Sequence, residues 1–126
     1  MDQDTIVGEL VGCCKSAIEA ILQPGAHTDV ASASLAILAK FRDVGRAVLQ
    51  AKVDLEASRL PLAPAPHCAG MAIPRVHTRK LRPQTLLGEV AVPVRTFRCK
   101  GCGEYVRPDD VLLGLPYRGE RSEEHT

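Results

Sequence analysis

Two cysteines in the second half of the chain have the spacing of metal ligands. Cys99 and Cys102 are separated by two residues and are followed by Gly103. This spacing lets both sulfur atoms point into one small site, because the turn between them directs backbone N–H groups at the thiolates. The pattern is typical of one half of a structural zinc site.

The other half must come from earlier in the chain, and residues 66–70 (PHCAG) are the candidate. They read as a second knuckle of the form Cys-Pro-x-Cys-x-Gly, with Ala65 in place of the first cysteine. The sequence therefore predicts a zinc-ribbon arrangement from which one ligand is missing.

A closed structural zinc site needs four ligands, and Cys68, Cys99 and Cys102 supply three of them. His67 is a candidate for the fourth, although its position beside Cys68 makes the geometry poor. His77 lies within a predicted strand and is expected to be an exposed strand residue. The remaining alternative is a site that has lost its metal, leaving a sheet held only by packing.

The composition indicates a folded protein outside the membrane. With 126 residues, the chain has room for one domain, or for a small domain with a helical appendage. No apolar stretch approaches 18 residues, and the acidic start of the chain argues against a signal peptide. We therefore expect a cytoplasmic location and read the five cysteines as metal ligands and buried thiols rather than disulfides.

The net charge of +1 hides a strong asymmetry. Residues 61–107 carry eight basic and two acidic side chains, a balance of +6, whereas the segments on either side are acidic. A basic metal-bound module of this kind is typical of proteins that bind polyanions; the alternative is a solvated sheet face. The predicted phosphate-contacting residues are Arg75, Arg79, Lys80, Arg82, Arg95, Arg98 and Lys100.

Two helices are predicted in the first half of the chain. Residues 4–22 have apolar side chains at helical spacing, with Asp2 or Asp4 as the cap, and residues 24–25 (PG) end this helix. A second helix should begin near Thr28 or Asp29, either of which can act as its N-cap, and run to about Leu60. Its heptad seam consists of Val30, Ser34, Ile37, Phe41, Val44, Val48, Ala51 and Leu55.

Such a seam requires a partner. The first helix can fold back over part of it, and the length left exposed makes a homodimer through the long helix one expectation. The alternative is simple two-helix packing within a larger protein. Residues 61–66 contain three prolines and are predicted to form a semi-rigid linker.

A period-two pattern after Met71 predicts antiparallel strands over residues 73–82 and 90–97, joined by a turn at residues 85–89, with a third strand near residues 104–107. Pro93 should lie at an edge or a bulge. Asp109 and Asp110 are interpreted as a turn and helix cap, and no motif supports catalysis. The charged residues 118–126 are predicted to be disordered.

The hairpin and its flanking motifs resemble a known family. Residues 81–103 (LRPQTLLGEVAVPVRTFRCKGCG) and 107–116 (RPDDVLLGLP) are similar to the N-terminal region of ISKra-type insertion-sequence transposases. That region has a helical start, a Cys-Pro-x-Cys knuckle, a Thr-Leu-x-Gly-x-Val hairpin and a second knuckle. The resemblance covers roughly residues 65–116. It implies a zinc-binding, DNA-recognising module that precedes an acidic-triad nuclease domain; this sequence contains no residues of that domain.

We thus predict an α+β protein with a helical hairpin (1–60), a linker (61–66), a zinc-ribbon-like domain (67–117) and a tail (118–126). The expected function is non-catalytic DNA binding by a transposase-derived protein, nucleoid-associated if it binds DNA. The alternatives are a protein–protein adaptor that uses the long helix, or a decayed remnant without activity.

Overall fold

The structure is a computed structural model that describes residues 2–64, 68 and 73–114. Two helices open the chain and a small antiparallel sheet follows, so the predicted α+β class is confirmed. The elements are α1 (Gln3–Ile21), α2 (Val30–Ser58), β1 (Arg75–Leu81), β2 (Gln84–Thr85), β3 (Gly88–Glu89), β4 (Val92–Arg98), β5 (Tyr105–Val106) and a 3-10 helix (Pro108–Leu113).

Both α-helices begin at an aspartate cap. The carboxylate of Asp2 accepts a hydrogen bond from the Thr5 N–H at 2.7 Å, and that of Asp29 accepts one from the Ser32 N–H at 2.9 Å. Each bond satisfies a backbone donor that the first helical turn leaves without a partner. In the part of the chain that the structure describes, neither helix combines the length and the apolarity needed to cross a membrane.

The chain divides into two compact units. One, the helical unit, comprises Met1–Leu55 with Pro83–Val90; the other, the sheet unit, comprises Glu56–Arg82 with Ala91–Thr126. The predicted division differs, because it placed residues 56–60 with the helices, residues 61–66 in a separate linker and the turn at residues 85–89 with the sheet. That segment instead forms the hairpin β2–β3 and belongs with the helices.

Side-chain contacts explain this placement of the hairpin. The Thr85 hydroxyl donates to the Gly88 carbonyl at 2.8 Å and accepts from the Leu87 N–H at 3.1 Å, which closes the turn. A Cβ at Gly45 would lie 3.0 Å from Leu87, so the absence of a side chain on α2 makes room for the hairpin tip. The contact between Gly45 and Leu87 has no local sequence signal, because it joins segments some forty residues apart.

The sheet unit has a compact core built on β4, the middle strand of the order β1-β4-β5. Val92 and Val94 are buried on one side of β4, and Phe97 on the other. Phe97 and Cys99 form a cluster with Ile73, against which Cys68 and Val106 pack. Pro93 lies opposite Lys80 in the middle strand β4, beyond the two β4 residues that pair with β5, rather than in an edge strand or at the register shift near Arg75.

The helical unit is buried to a much smaller extent. Among its described helical residues only Ala17 and Val53 are buried, while large apolar side chains on both helices remain exposed. Cys14 is half-buried and Cys13 is exposed.

Candidate metal centre and the cationic end of the sheet

Three cysteines from two distant parts of the sequence meet at one end of the sheet unit. The sulfur atoms of Cys68, Cys99 and Cys102 all lie within 4.8 Å of one another. Cys99 is fully buried, Cys68 is half-buried and Cys102 is exposed. This cluster could hold a metal ion.

A tight turn after β4 brings Cys99 and Cys102 together. The Gly103 N–H donates to the Cys99 carbonyl at 2.7 Å, and the Cys99 N–H donates to the Glu104 carbonyl at 2.8 Å. Gly103 has φ +76°, a left-handed conformation that glycine adopts without strain. The glycine after the second cysteine is therefore required by the turn.

Backbone donors in this turn stabilise a thiolate at Cys99. The Cys102 N–H lowers the pKa of the Cys99 thiol, burial opposes this, and the Gly101 N–H and the neighbouring thiols add to the lowering. The net result is a pKa below the ordinary value. The expectation that this spacing aims N–H groups at the sulfur is confirmed.

Cys68 has the opposite tendency. Its hydrogen bonds with the Cys102 and Cys99 sulfurs, together with burial and the nearby negative charge, raise the pKa of the Cys68 thiol to about 12. Without a cation, three sulfurs this close must share protons. Because cysteine binds metal as the thiolate, a metal ion would take the place of those protons.

The donor set and spacing suit a tetrahedral thiolate site. A Zn–S bond of about 2.3 Å implies sulfur–sulfur separations of about 3.8 Å in a tetrahedron, so the cluster needs a contraction of about 1 Å at most. Cys68 has a left-handed backbone, with φ +56°, a conformation that is uncommon for a non-glycine residue.

The described residues do not supply a fourth ligand. Within residues 2–64, 68 and 73–114, the cluster contains three ligands. Ala65 and the candidate ligand His67 lie outside the described residues. His77 is an exposed residue of β1 and is not part of the cluster, as predicted.

The predicted phosphate-contacting residues do not form one continuous surface. Arg79 pairs with Val94 and Lys80 with Pro93, so these two neighbours project from opposite sides of the sheet. Arg75, Arg79, Lys80, Arg82, Arg98 and Lys100 are all exposed.

Arg95 is the exception, and its predicted contact with phosphate is replaced by an internal ion pair. Its Nε lies 2.7 Å from Asp109 Oδ2 and its Nη2 lies 2.9 Å from Asp109 Oδ1, which makes the pair bidentate. The Arg95 backbone N–H also donates to Asp109 Oδ2, at 3.0 Å. The Arg95 side chain is only 18% exposed and that of Asp109 is 3% exposed. Arg95 is therefore no longer a candidate for contact with phosphate.

The same guanidinium holds the predicted linker. Nη2 of Arg95 donates to the Pro61 carbonyl at 2.7 Å and Nη1 donates to the Leu62 carbonyl at 3.1 Å. The first residues of the linker are thus fixed to the sheet unit, whereas the sequence suggested only a spacer. Residues 65 and 66 lie outside the described range.

Asp109 and Asp110 are also placed differently from the prediction of a helix cap. Both are buried within the 3-10 helix, whose capping position is occupied by Arg107 without a side-chain hydrogen bond. Burial would raise the pKa of Asp109, but the hydrogen bonds and charge of Arg95 outweigh burial and hold the pKa below its ordinary value. Asp110 lies 3.4 Å from the Arg107 guanidinium.

The exposed cations nearest the cysteines surround a small cavity. This cavity, of about 330 Å³, is lined by Pro74, Val76, Arg98, Cys99, Lys100 and Gly103. Arg98 stacks over the Tyr105 ring at 5.6 Å from its centroid, and Tyr105 itself is 54% exposed. Tyr105 was not among the predicted site residues, because its only signal in the sequence is its place directly after the cysteine turn.

Comparisons of the chain with protein-family models, with curated proteins and with solved structures find no match.

Proposed function

We propose that the sheet unit is a metal-stabilised nucleic-acid-binding module and that zinc is its metal. The observation that carries the proposal is the knuckle end, by which we mean Arg98, Lys100 and Tyr105 beside Cys99. Two cations there line one cavity with a buried cysteine, and one of them stacks on an exposed aromatic ring. Cations that bind phosphate and a ring that can stack on a base are the elements of nucleic-acid recognition.

In this proposal, Cys68, Cys99 and Cys102 hold the zinc ion, with His67 as the candidate fourth ligand. Zinc supplies a fixed crosslink between the segment around residue 68 and the turn after β4. This turn also fixes the position of Lys100, which lies between the two cysteines. The metal's role is thus structural and no chemical step is assigned to it.

DNA is the polymer that we propose. The balance of +6 over residues 61–107 provides a general attraction for phosphates, and the resemblance to ISKra-type transposases favours DNA over RNA. The module would act in transposition-related DNA binding without catalysis by this chain. Arg75, Arg79, Lys80 and Arg82 would add distant electrostatic attraction rather than the principal contacts.

A pair of matched lysine variants tests this assignment. Lys100 lies at the knuckle end, whereas Lys80 pairs with Pro93, five residues from Arg98 along β4 and therefore roughly 16 Å away. We expect Lys100→Glu to weaken binding of a fluorescent duplex at least tenfold and to reduce the magnitude of the salt slope by one to two. We expect Lys80→Glu to weaken it less than threefold.

The measurement is fluorescence anisotropy across a salt series, on proteins whose metal content matches that of the wild type. Equal losses in the two variants would show a diffuse charge effect and would contradict the assignment to the knuckle end. Wild-type protein that binds neither duplex nor single-stranded DNA at low salt would overturn the proposed function. Stronger binding to single strands would move the proposal toward base stacking on Tyr105.

A second candidate function is protein–protein interaction through the helical unit. It is favoured by a separate observation, the large apolar side chains that both helices leave exposed. The two functions are compatible, because they use different units of the chain.

A further inference from the structure

The exposed apolar side chains of α1 form a stripe beside the surface that faces α2. Leu10 and Ala17 line cavities shared with α2, which identifies the face of α1 directed at its neighbour. Val11 and Ile18 are 61% and 41% exposed. Each follows one of those facing residues by one position, so the exposed stripe lies about 100° further round the helix.

The long helix has an equivalent stripe. Lys40 and Val44 line one of the same cavities, which places them on the side of α2 that faces α1. Phe41, one residue after Lys40, is 38% exposed, and Val48, one heptad later, is 46% exposed. On α2, as on α1, the rotation from the side that faces the other helix to the exposed stripe has the same sense as the winding of successive residues around the helix.

These two stripes lie on one side of the helix pair. In both helices the rotation from the facing side to the exposed stripe has the same sense when viewed along the chain. The cavities place Leu10 near Ala51 and Ala17 near Val44, so the helices run antiparallel. For antiparallel helices the same rotation brings both stripes to the same side.

The combined surface, which we call the apolar face, is bordered on α1 by Lys15 and Glu19, which line one cavity with Val11 and Ile18. Its large exposed members are Val7, Val11, Ile18, Leu22, Val30, Ile37, Phe41 and Val48. Taking about 150–200 Å² for a fully exposed residue of this size, their exposed fractions amount to roughly 700 Å². Monomeric proteins rarely expose so large a contiguous apolar patch.

We infer that this apolar face binds a second copy of the chain, giving a two-fold symmetric four-helix arrangement. The area matches the requirement, since each partner of a standard protein interface buries about 800 Å². Four of the eight α2 seam residues, Val30, Ile37, Phe41 and Val48, belong to this face, and heptad spacing is the pattern that packs against like helices. This inference is independent of the proposed metal and DNA binding.

A second copy is the favoured occupant because the helical unit needs a core. With Ala17 and Val53 its only buried described helical residues, a single copy gains little from packing, whereas helix stability in proteins comes chiefly from the packing of an apolar face. A two-fold axis brings the same face from the partner, so both copies cover their apolar surface in one closed assembly.

Neighbouring apolar residues on different sides of α2 provide the test. Ile37 belongs to the apolar face, whereas Leu35 is turned about 160° away from it, and both are exposed in the single chain. In sedimentation experiments on the full chain we expect wild type at twice the 13.6 kDa chain mass. We expect Ile37→Glu to raise the dimer dissociation constant at least a hundredfold and Leu35→Glu to change it less than threefold.

A variant on the first helix separates the two-helix face from a seam on α2 alone. Val11→Glu should dissociate the dimer as Ile37→Glu does, with helix content monitored by circular dichroism. A Val11→Glu protein that remains dimeric would contradict the involvement of α1. A wild type that remains monomeric at 100 μM would overturn the proposal without any variant, as would equal dissociation by Leu35→Glu.

Discussion

The sheet unit and the helical unit are of similar length but bury their side chains to very different extents. In the sheet unit, Val92, Val94, Phe97 and Cys99 are almost completely buried around β4. In the helical unit, α1 has 19 residues and α2 has 29, and the two helices bury only Ala17 and Val53 among their described residues. Secondary structure is therefore not a measure of how completely a unit is packed.

The difference shows which kind of interaction stabilises each unit. The sheet unit combines short strands with a directional link between distant segments, the Arg95–Asp109 pair, and it brings together three cysteines that could hold a metal ion. Small domains need such links because their cores are too small to stabilise them alone. The helices instead carry a repeating apolar pattern, which is satisfied by another helical surface.

The largest effect is expected from breaking the internal link of the sheet unit. Asp109→Asn would leave the Arg95 charge buried without its partner, and we expect a loss of about 3 kcal/mol in the stability of the sheet unit. Urea titration followed through the methyl NMR signals of Val92 and Val94 measures it. The methyl signal of Ala17, which reports the helical unit, should keep its midpoint.

An exposed ion pair of equal length is the matched control. Glu56 and Arg59 also lie 2.7 Å apart, but their side chains are 38% and 54% exposed. Because surface pairs contribute at most about 1 kcal/mol, we expect Glu56→Gln to have less than a third of the effect of Asp109→Asn. Similar losses in the two variants would show that burial does not set the strength of the Arg95–Asp109 pair.

The pH dependence of the same pair is the next effect in size. The pKa of Asp109 is held below its ordinary value of 3.8, so the folded state favours the carboxylate. That stability is fully present above about pH 4 and is lost as the pH falls through the folded-state pKa. We expect the stability gap between wild type and Asp109→Asn to narrow below pH 4, and a gap that widens there would contradict the ion pair.

The smallest effects concern the contact of the hairpin with α2. Gly88 has φ +117°, and a Cβ there would lie 2.9 Å from Arg46 Cδ, so Gly88→Ala should destabilise the helical unit by about 1–2 kcal/mol. Gly45→Ala should instead stabilise it by about 0.5 kcal/mol, because the gain in helix propensity exceeds the small shift required of the Leu87 side chain.

Thermal unfolding followed at the Ala17 methyl signal compares the two glycine variants. Stabilisation by Gly88→Ala would show that the left-handed turn is not required. Destabilisation by Gly45→Ala would show that Leu87 is fixed in its position and cannot move aside.

Local patterns were sufficient to predict most of the elements. The helix starts follow from aspartate caps, and the strands from alternating residues, so α1, α2, β1 and β4 lie within a few residues of their predicted ranges. The turn geometry at Cys99 and Cys102 also follows from local spacing. Such features are determined by interactions within a few residues of the chain.

Contacts between distant residues were not predictable in the same way. Arg95 reads as a solvent-exposed strand cation, and only its meeting with Asp109, fourteen residues later, converts it into an interior residue. The hairpin's place on α2 depends on Leu87 meeting Gly45, which no periodicity reveals.

The metal content of the purified chain tests the central claim most directly. In native mass spectrometry we expect one zinc ion per chain, lost in Cys99→Ser but kept in Cys13→Ser, whose thiol is exposed on α1 outside the cluster. Loss of zinc should abolish the Val92 and Val94 signals of the folded sheet unit while helix content remains. Wild-type protein that is folded in both units and contains no metal would contradict a metal-stabilised module.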